Sequence, residues 1–363
     1  IRDRKWCDDR DNFYIVGYND TVSDKSELVV RQANGVIFER ESNRILHYSY
    51  ELIDDYDNLT DSDKMEIQEN FDEYDVNRLY DGTIIKIYPY YENDELQFRV
   101  GTNFCVDAKN SIFNNSRNFF ELFMETAQET EMDFTKLDGS CCYTLLMMNP
   151  NNSLVITGQK HKLYHLATVS LDDLSEKEND TGICDPETYQ CTFDEFQDMV
   201  STMNSKMDGN LQITADETYG YLLKHKQTGR RIKVESQLYK KLKELRGNVE
   251  NVAYRYLELR RNPIDLQDYL NYYPELKDTF TRIERDIDQL AYRLNNLYSE
   301  VYIQHSLKRH MIEPEYKGLI YSLHNDYCES RIKRSKEIVK GHLNSLPVRQ
   351  LANYLNVSAL NSK

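Results

Sequence analysis

The stretch Leu79-Tyr80-Asp81-Gly82-Thr83-Ile84-Ile85-Lys86-Ile87-Tyr88-Pro89-Tyr90-Tyr91 leads into the longest β-favouring run of the chain. The polar turn Glu92-Asn93-Asp94-Glu95 follows it, and residues 96–100 then form a second β-favouring run. Two such runs joined by a short Asn/Asp turn are typical of a β-hairpin. We therefore predict an antiparallel hairpin over residues 83–100, and the rest of the first two-thirds of the chain follows the same plan.

Further β-favouring runs lie on both sides of this hairpin, and helical patterns lie between them. The predicted strands are 35–38 with 45–50, then 143–148, 154–157 and 163–168 as a meander, and finally 219–224 with 231–234. The spacing of Phe119, Phe120 and Phe123 predicts a helix over 116–130. Thr192 and Glu195 form a capping-box pair that predicts a helix start. The acidic stretch 172–182 is predicted to be an exposed loop.

From about Leu238 onward the strand patterns stop. An a/d stripe predicts one long helix behind Pro274, and it consists of Leu276, Phe280, Ile283, Ile287, Leu290, Leu294, Leu297 and Val301. We interpret the stripe as the core of a helix bundle. The predicted fold class is α+β: an antiparallel β-rich domain over 1–246, followed by an all-α domain over 247–363.

The charge of the chain is unevenly distributed. The 363 residues have a formal net charge of −16. Residues 1–223 contain 19 Lys and Arg against 44 Asp and Glu, a net of −25, whereas residues 224–363 contain 26 against 17, a net of +9. The acidic total argues against a nucleic-acid partner, but the basic C-terminal part is compatible with one.

Several classes of function and location are disfavoured by the sequence. The apolar run around Leu145 is far shorter than the roughly 20 residues of a membrane helix, so we expect no membrane partner. The seven cysteines lack CxxC spacing, which favours reduced thiols, a cytoplasmic location and no metal site. GxxxxGK and GxGxxG loops are both absent, which disfavours P-loop kinases and dinucleotide enzymes.

The order of four short motifs resembles the nucleotidyltransferase superfamily, an ATP-grasp-like fold that includes RNA ligases and mRNA capping enzymes. The motifs are Leu79-Tyr80-Asp81-Gly82-Thr83, the central strand 143–149, Tyr219-Gly220-Tyr221 and Arg231-Ile232-Lys233. The resemblance covers roughly residues 28–250 and is strongest to RNA ligases with a C-terminal helical domain. It implies phosphate or nucleotide binding by Asp81, Thr83, Arg231 and Lys233. An active member would use ATP or GTP with Mg²⁺.

The sequence departs from this family at the positions that carry its chemistry. Leu79 stands in the slot of the lysine whose amine attacks the nucleotide, and Tyr219 stands in the slot of a glutamate. The central strand presents apolar side chains where the family has a carboxylate. We therefore expect a catalytically degenerate protein with no catalytic residue and no firmly expected cofactor.

Lys136-Leu137-Asp138-Gly139-Ser140 supports an alternative, because it matches the nucleotidyl-lysine motif letter for letter. In that alternative Lys136 is the nucleophile, Asp138 is its motif partner, and the protein is an active RNA ligase or guanylyltransferase. Asp-Gly-Ser is also ordinary turn chemistry before a strand. The distance from Lys136 to Arg231 is also short for the family.

The basic stretch 224–246 predicts a binding surface for RNA or another nucleic acid. Its bases outside the phosphate motif are Lys224, Lys226, Arg230, Lys240, Lys243 and Arg246. The competing interpretation is a solvated face that compensates the acidic N-terminal half. The helical domain is a candidate surface for protein partners. A further alternative is a structural component of a virion or large complex, located in a virion or viral factory, since the composition is rich in Tyr, Asn and Asp.

Overall fold

The structure is a computed structural model that describes residues 2–3, 12–18, 22–113, 117–152, 154–156, 158–205, 213–214, 216–247, 251–331 and 335–357. The chain divides into two compact units, Ile1–Lys243 and Glu244–Lys363. The domain boundary predicted at 246/247 stays a prediction that limited proteolysis can test. The predicted α+β class with an all-α C-terminal part is confirmed by the elements of the two units.

Unit 1 contains short and long strands with a few helices between them. In chain order its strands are β1 (Arg2–Asp3), β2 (Phe13–Gly17), β3 (Asn34–Glu39), β4 (Ile45–His47), β5 (Asp54–Asp55), β6 (Tyr74–Arg78), β7 (Thr83–Glu92), β8 (Glu95–Thr102), β9 (Ile112–Phe113), β10 (Arg117–Asn118), β11 (Cys141–Met148), β12 (Lys162–Ser170), β13 (Glu176–Lys177), β14 (Thr188–Tyr189), β15 (Gly220–His225) and β16 (Arg231–Glu235). Its helices are α1 (Leu28–Gln32), α2 (Asp61–Glu69), α3 (Phe119–Glu129) and α4 (Phe193–Ser205), and α5 (Gln237–Arg246) begins in it.

Three sheets organise unit 1. The first sheet has the order β1-β2-β3-β4, the second β13-β12-β11-β7-β8, and the third β14-β6-β15-β16-β5. Among these described strands the pairings are antiparallel except that of β16 with β5. A two-stranded ribbon of β9 and β10 lies beside them. The hairpin of β7 and β8 is confirmed, and Asn93 and Asp94 at its turn have positive φ values of 51° and 65°. Positive φ at both turn residues is the geometry that two-residue hairpin loops require.

The second sheet is the centre of unit 1 because β11 lies between β12 and β7 and is buried along all eight residues. Tyr143, Leu145 and Met147 pack with α3 on one face, and Leu146 and Met148 form part of the opposite face. The first sheet also packs on the second, while α2 and α4 cover the third. Burial on both faces explains why β11 reads as a continuous apolar run in the sequence.

The predicted strand at 154–157 is wrong. Residues 154–156 form bends, and Thr157 lies outside the described residues. The backbone N–H groups of Val155 and Ile156 donate hydrogen bonds to a buried carboxylate and not to a neighbouring strand. The meander is therefore a direct pair of β11 and β12. The predicted loop 172–182 contains the short strand β13, which pairs with β12.

The helix predicted over 116–130 is confirmed from Phe119 onward, and Ser116 lies outside the described residues. The predicted capping box is confirmed as well. The Thr192 backbone N–H donates to the Glu195 carboxylate at 2.8 Å, and the Glu195 N–H donates to the Thr192 hydroxyl at 3.3 Å. This reciprocal pair satisfies two N–H groups that a helix start leaves without intrahelical partners.

Unit 2 consists of helices in the part of the chain that the structure describes. They are α6 (Val252–Leu259), α7 (Pro263–Tyr272), α8 (Lys277–Tyr298), α9 (Pro314–Ser330), α10 (Lys336–Ser345) and α11 (Val348–Tyr354). The predicted stripe is buried at Phe280, Ile283, Ile287, Leu290 and Leu294 of α8, which contacts α6, α9 and α10. The stripe is thus the core of a helix bundle, as predicted. No helix in the described ranges is long and apolar enough to cross a membrane.

A buried histidine between the first and second sheets makes stability depend on pH. His47 is fully buried, its Nε2 lies 3.2 Å from the Tyr143 carbonyl oxygen, and its Nδ1 has no hydrogen-bond partner in the described part of the chain. Burial, followed by the positive charge of Lys86, holds the pKa of His47 well below its usual value. His165 is also buried, and burial lowers its pKa despite a hydrogen bond to Asp185.

We expect the free energy of unfolding to fall as the pH is lowered from about 7 to about 5. The unfolded histidines bind protons below a pKa of about 6.5 while the folded ones stay neutral, so each contributes a loss of about 1.4 kcal/mol per pH unit until its folded pKa is reached. Urea denaturation at several pH values measures this slope. The substitution His47→Gln should flatten it, and a slope that is unchanged in that variant would contradict the assignment to His47.

Candidate functional site

Asp81 is the centre of the site that the sequence motifs predict. It follows β6, is 4% exposed, and accepts hydrogen bonds at 2.8 Å from the backbone N–H groups of both Val155 and Ile156. The hydroxyl of Tyr239 donates to its other oxygen, also at 2.8 Å. The Gln159 amide donates to the Asp81 carbonyl at 2.7 Å. Both carboxylate oxygens therefore already have partners within unit 1.

The lysine slot and the glutamate slot of the motifs lie side by side. The Leu79 N–H donates to the Gly220 carbonyl at 3.0 Å. A Cβ added to Gly220 would lie 2.9 Å from both Leu79 Cδ1 and the Val234 carbonyl oxygen, so a larger residue here would crowd the backbone of β16 as well as the leucine. The place of the attacking amine is thus occupied by an apolar side chain packed on the neighbouring strand β15.

Aromatic rings fill the space next to Asp81. Tyr219 is 4% exposed and stacks on Tyr239, which is 5% exposed, with ring centroids 3.9 Å apart. Burial raises the pKa of Tyr219 well above its usual value, and burial likewise raises the pKa of Tyr239. A second stack joins Tyr80 to Tyr164 at 4.0 Å. Both tyrosines of the first pair are therefore neutral, and their stacked rings are buried beside Asp81.

Thr83 lies at the start of β7 with its hydroxyl accepting a hydrogen bond from the Asn152 amide at 2.6 Å. Gly82 before it is pressed against β11, because an added Cβ would lie 2.5 Å from the Met147 carbonyl oxygen. The structure thus brings Asp81 and Thr83 to neighbouring positions beside the central strand. Both side chains are used in hydrogen bonds within unit 1.

The rival motif at Lys136 lies in a turn that leads into β11. Lys136 ends a 3₁₀ helix, Phe134–Lys136, and is exposed. The Ser140 N–H donates to the Asp138 carboxylate at 2.9 Å, which lowers the pKa of Asp138. The Cys141 N–H donates to the Asp138 carbonyl at 3.1 Å. Asp138 therefore stabilises the turn that leads into β11 through hydrogen bonds with Ser140 and Cys141.

The phosphate-motif base Arg231 is buried and paired. Its side chain is 5% exposed, and its guanidinium lies 3.0 Å from the Glu176 carboxylate and 4.2 Å above the Tyr50 ring. It also donates to the Gly229 carbonyl at 3.2 Å. Lys224 donates to the same carboxylate at 2.7 Å. Glu176 of β13 thus neutralises the face on which the resemblance places a phosphate.

The remaining bases of the stretch also have acidic partners. Lys233 pairs with Glu235 and Asp55, Lys240 with Asp57 and Asp55, Lys243 with Glu235, Arg230 with Asp54 and Asp63, and Lys226 with Asp75. Burial would lower the pKa of Lys240, but its hydrogen bonds to Asp57 and Asp55 outweigh burial and raise it. Arg246 at the end of α5 has no ion pair to a described residue.

These ion pairs show where the positive charge of residues 224–363 is located and how much of it is neutralised. Residues 224–243 contain eight Lys and Arg against one Glu, whereas residues 244–363 contain 18 against 16. Most of the excess positive charge therefore belongs to unit 1, where it faces carboxylates of the acidic N-terminal half. Apart from the pairs that Lys233 and Lys243 make with Glu235 of the stretch itself, these ion pairs agree with the interpretation as a compensating face.

The groups at the motif positions do not fit a nucleotide bound with Mg²⁺. A nucleotidyl-lysine needs an amine at Leu79, and a metal ion needs carboxylate oxygens that are not already saturated by N–H and O–H donors. No group of three or more His, Cys, Asp or Glu side chains within the described ranges is placed to hold a metal ion. No step through ATP, GTP or Mg²⁺ is therefore derived for this site.

No protein-family model matches the chain, and no curated protein matches it in sequence. The chain is similar in structure to RNA ligases. An archaeal ATP-dependent RNA ligase aligns with 69% of this chain at 12% identity and a TM-score of 0.38. Two Naegleria gruberi RNA ligase variants, one with AMP and Mn and one with ATP and Mn, align with 49% and 50% of it at 10% identity, with TM-scores of 0.27 and 0.29.

These matches return the class of protein that the sequence motifs resemble. The chain covers 64%, 55% and 56% of the three ligases, which is less than two-thirds of their length. Because all three TM-scores lie below 0.5, nothing about activity, substrate or site residues is taken from these proteins.

Sequence reasoning did not single out Tyr239, Gln159 and Glu176, which complete the site. Tyr239 lies in a helix that reads as basic and amphipathic, and Glu176 lies in an acidic stretch that reads as a loop. The sequence indicates a partner such as Glu176 only through the excess of Asp and Glu in residues 1–223 over the basic residues that follow. The partners of Asp81 have no signal in the sequence, since they come together only through the packing of α5 and the 154–159 segment.

Proposed function

We propose that this chain is a catalytically degenerate RNA-ligase-like protein that acts by binding, in nucleic-acid binding or complex assembly, and not by nucleotidyl transfer. The observation that supports this best is that the Asp81 carboxylate already accepts hydrogen bonds from two backbone N–H groups and the Tyr239 hydroxyl. Leu79 and Tyr219 beside it supply neither an amine nor a carboxylate. The test is whether a covalent protein–nucleotide adduct forms with labelled ATP or GTP and Mg²⁺.

The nucleic-acid part of this proposal concerns the basic stretch 224–246. The ion pairs leave most of its bases bound to carboxylates, so a phosphate must displace a carboxylate before it binds them. Arg246 has no ion pair to a described residue. Lys226 and Lys243 are the best placed for this, since about half of each side chain is exposed, 49% and 52%, and their ion pairs are long, at 3.9 and 3.5 Å. Exposed ion pairs of this kind contribute little, about 0–1 kcal/mol, and are readily exchanged.

We therefore expect weak, salt-dependent binding of single-stranded RNA by the full chain. The double substitution Lys226→Ala with Lys243→Ala should reduce the slope of log K against log salt by about 1.4, since each phosphate contact contributes about 0.7 on single strands. Filter binding over a salt series measures the slope. The matched control is Lys160→Ala with Lys177→Ala, two exposed lysines outside the stretch. Absent binding at low salt, or equal loss in both variants, would contradict the proposal.

A further inference from the structure

A groove of about 500 Å³ runs along the outer face of α3 in unit 1. Phe120 and Met124 line it from the helix, and Phe134 closes it from the following 3₁₀ helix. Ala127 also lines the groove and is buried, and its small side chain leaves room between the larger ones. The three helical residues recur at spacings of four and three, so the groove follows one helix face over about 10 Å.

Two of the apolar side chains that line the groove are partly exposed to solvent. Met124 is 38% exposed and Phe134 is 39% exposed. Phe134 is held in place by an edge-to-face contact with Phe123 of the core, with centroids 6.3 Å apart. A fixed aromatic ring beside an adaptable methionine is a combination that protein-binding grooves use.

The rim of the groove is acidic. Glu121, Glu125 and Glu131 border it, and the only base among its lining residues is Arg117. Arg117 lies 2.7 Å from Glu125 and 3.9 Å from Glu121, so these carboxylates of the rim neutralise its positive charge. The rim therefore has a net negative charge, which repels phosphates of nucleic acids and of anionic membranes.

We propose that this groove binds one amphipathic helix of a partner protein, with an apolar stripe that enters the groove and Lys or Arg residues on both sides of the stripe. The apolar walls fit side chains at helical i, i+3 and i+4 positions, and the glutamates fit flanking cations. The inference uses none of the residues of the Asp81 site or the basic stretch. It therefore holds or fails independently of nucleotide transfer and RNA binding.

The probe is a fluorescent peptide of about 18 residues, long enough to be helical, with leucines at i, i+3, i+4 and i+7 and lysines flanking them. We expect saturable binding to the full chain in fluorescence anisotropy, weakened by salt. Met124→Asp should weaken binding about tenfold or more, since one anchor in such a groove is worth at least about 1.4 kcal/mol. Glu121→Lys with Glu131→Lys should weaken it similarly.

The matched control is Met65→Asp on α2, which alters an exposed methionine of the same unit that is 60% exposed and far from the groove lining. It should bind the peptide as the wild type does. A peptide with the same composition in scrambled order should bind at least about tenfold more weakly, because its leucines no longer share one face. The proposal is overturned if the scrambled peptide binds equally well, if Met124→Asp has no effect, or if no peptide binds. Self-association in sedimentation that is lost in Met124→Asp would instead assign the groove to a second copy of the chain.

Discussion

Replacing Glu176 with alanine is expected to lower the free energy of unfolding by about 3 kcal/mol or more, because it leaves the buried Arg231 guanidinium without its counter-ion. The Arg231 side chain is 5% exposed and lies 3.0 Å from the Glu176 carboxylate, which also accepts from Lys224 at 2.7 Å. Urea denaturation of the full chain at neutral pH measures the change. Glu178→Ala, an exposed neighbour, is the control and should cost less than about 0.5 kcal/mol.

The same pair can be tested from its other side. If the loss in Glu176→Ala comes from an uncompensated charge, the double variant Glu176→Ala with Arg231→Met should recover much of it, since removing both partners of a buried pair is often nearly neutral. A double variant no more stable than Glu176→Ala would show that the pair is not the source. A loss below about 1 kcal/mol in Glu176→Ala would show that solvent already screens the pair.

Asp81→Ala is the second substitution with a large expected effect, a loss of about 3 kcal/mol or more. It removes the carboxylate that accepts from the backbone N–H groups of Val155 and Ile156 and from the Tyr239 hydroxyl in a buried place. Each unsatisfied buried donor costs about 1–3 kcal/mol. Thermal or urea unfolding of the full chain measures the loss.

Tyr239→Phe is the matched control for Asp81, because it removes one donor and keeps the ring stacked on Tyr219. It should cost about 1.5 to 3 kcal/mol, the range for one hydrogen bond to a charged group. If Asp81→Ala cost no more than Tyr239→Phe, the two backbone bonds would not hold the 154–156 segment as described. Equal and small losses of unfolding free energy in both variants would contradict the claim that the Asp81 carboxylate is tied up in hydrogen bonds within unit 1.

The strands of unit 1 were largely predictable from the sequence because each carries a local signal. The hairpin of β7 and β8 has its Asn93-Asp94 turn, and β11 has an unbroken apolar run. Residues 154–156 also have β-favouring side chains, but their N–H groups are taken by Asp81, which lies over 70 residues earlier in the chain. A competing long-range hydrogen bond of this kind has no local pattern.

The position of the candidate site stays a prediction from the motifs, and the contacts of its side chains could not be predicted from the sequence. The four motifs placed Asp81, Thr83, Arg231 and Lys233 in the same unit, and the residue identities at 79 and 219 already pointed to lost chemistry. The neutralisation of the basic stretch was not predictable in detail. Its acids come largely from β5, α2 and β13, which lie far from the stretch in sequence and meet it only in the folded unit. Net charge along the chain indicates such pairing but cannot assign partners.

The most direct test of the central claim is a nucleotide-adduct assay on the full chain. Wild type is incubated with labelled ATP or GTP and Mg²⁺, denatured, and analysed by gel and by intact mass. We expect no covalent adduct with either nucleotide, because Leu79 stands at the lysine position of the motif and both carboxylate oxygens of Asp81 already accept hydrogen bonds. An adduct on the wild type that is lost in Lys136→Ala would contradict the account and establish the active alternative.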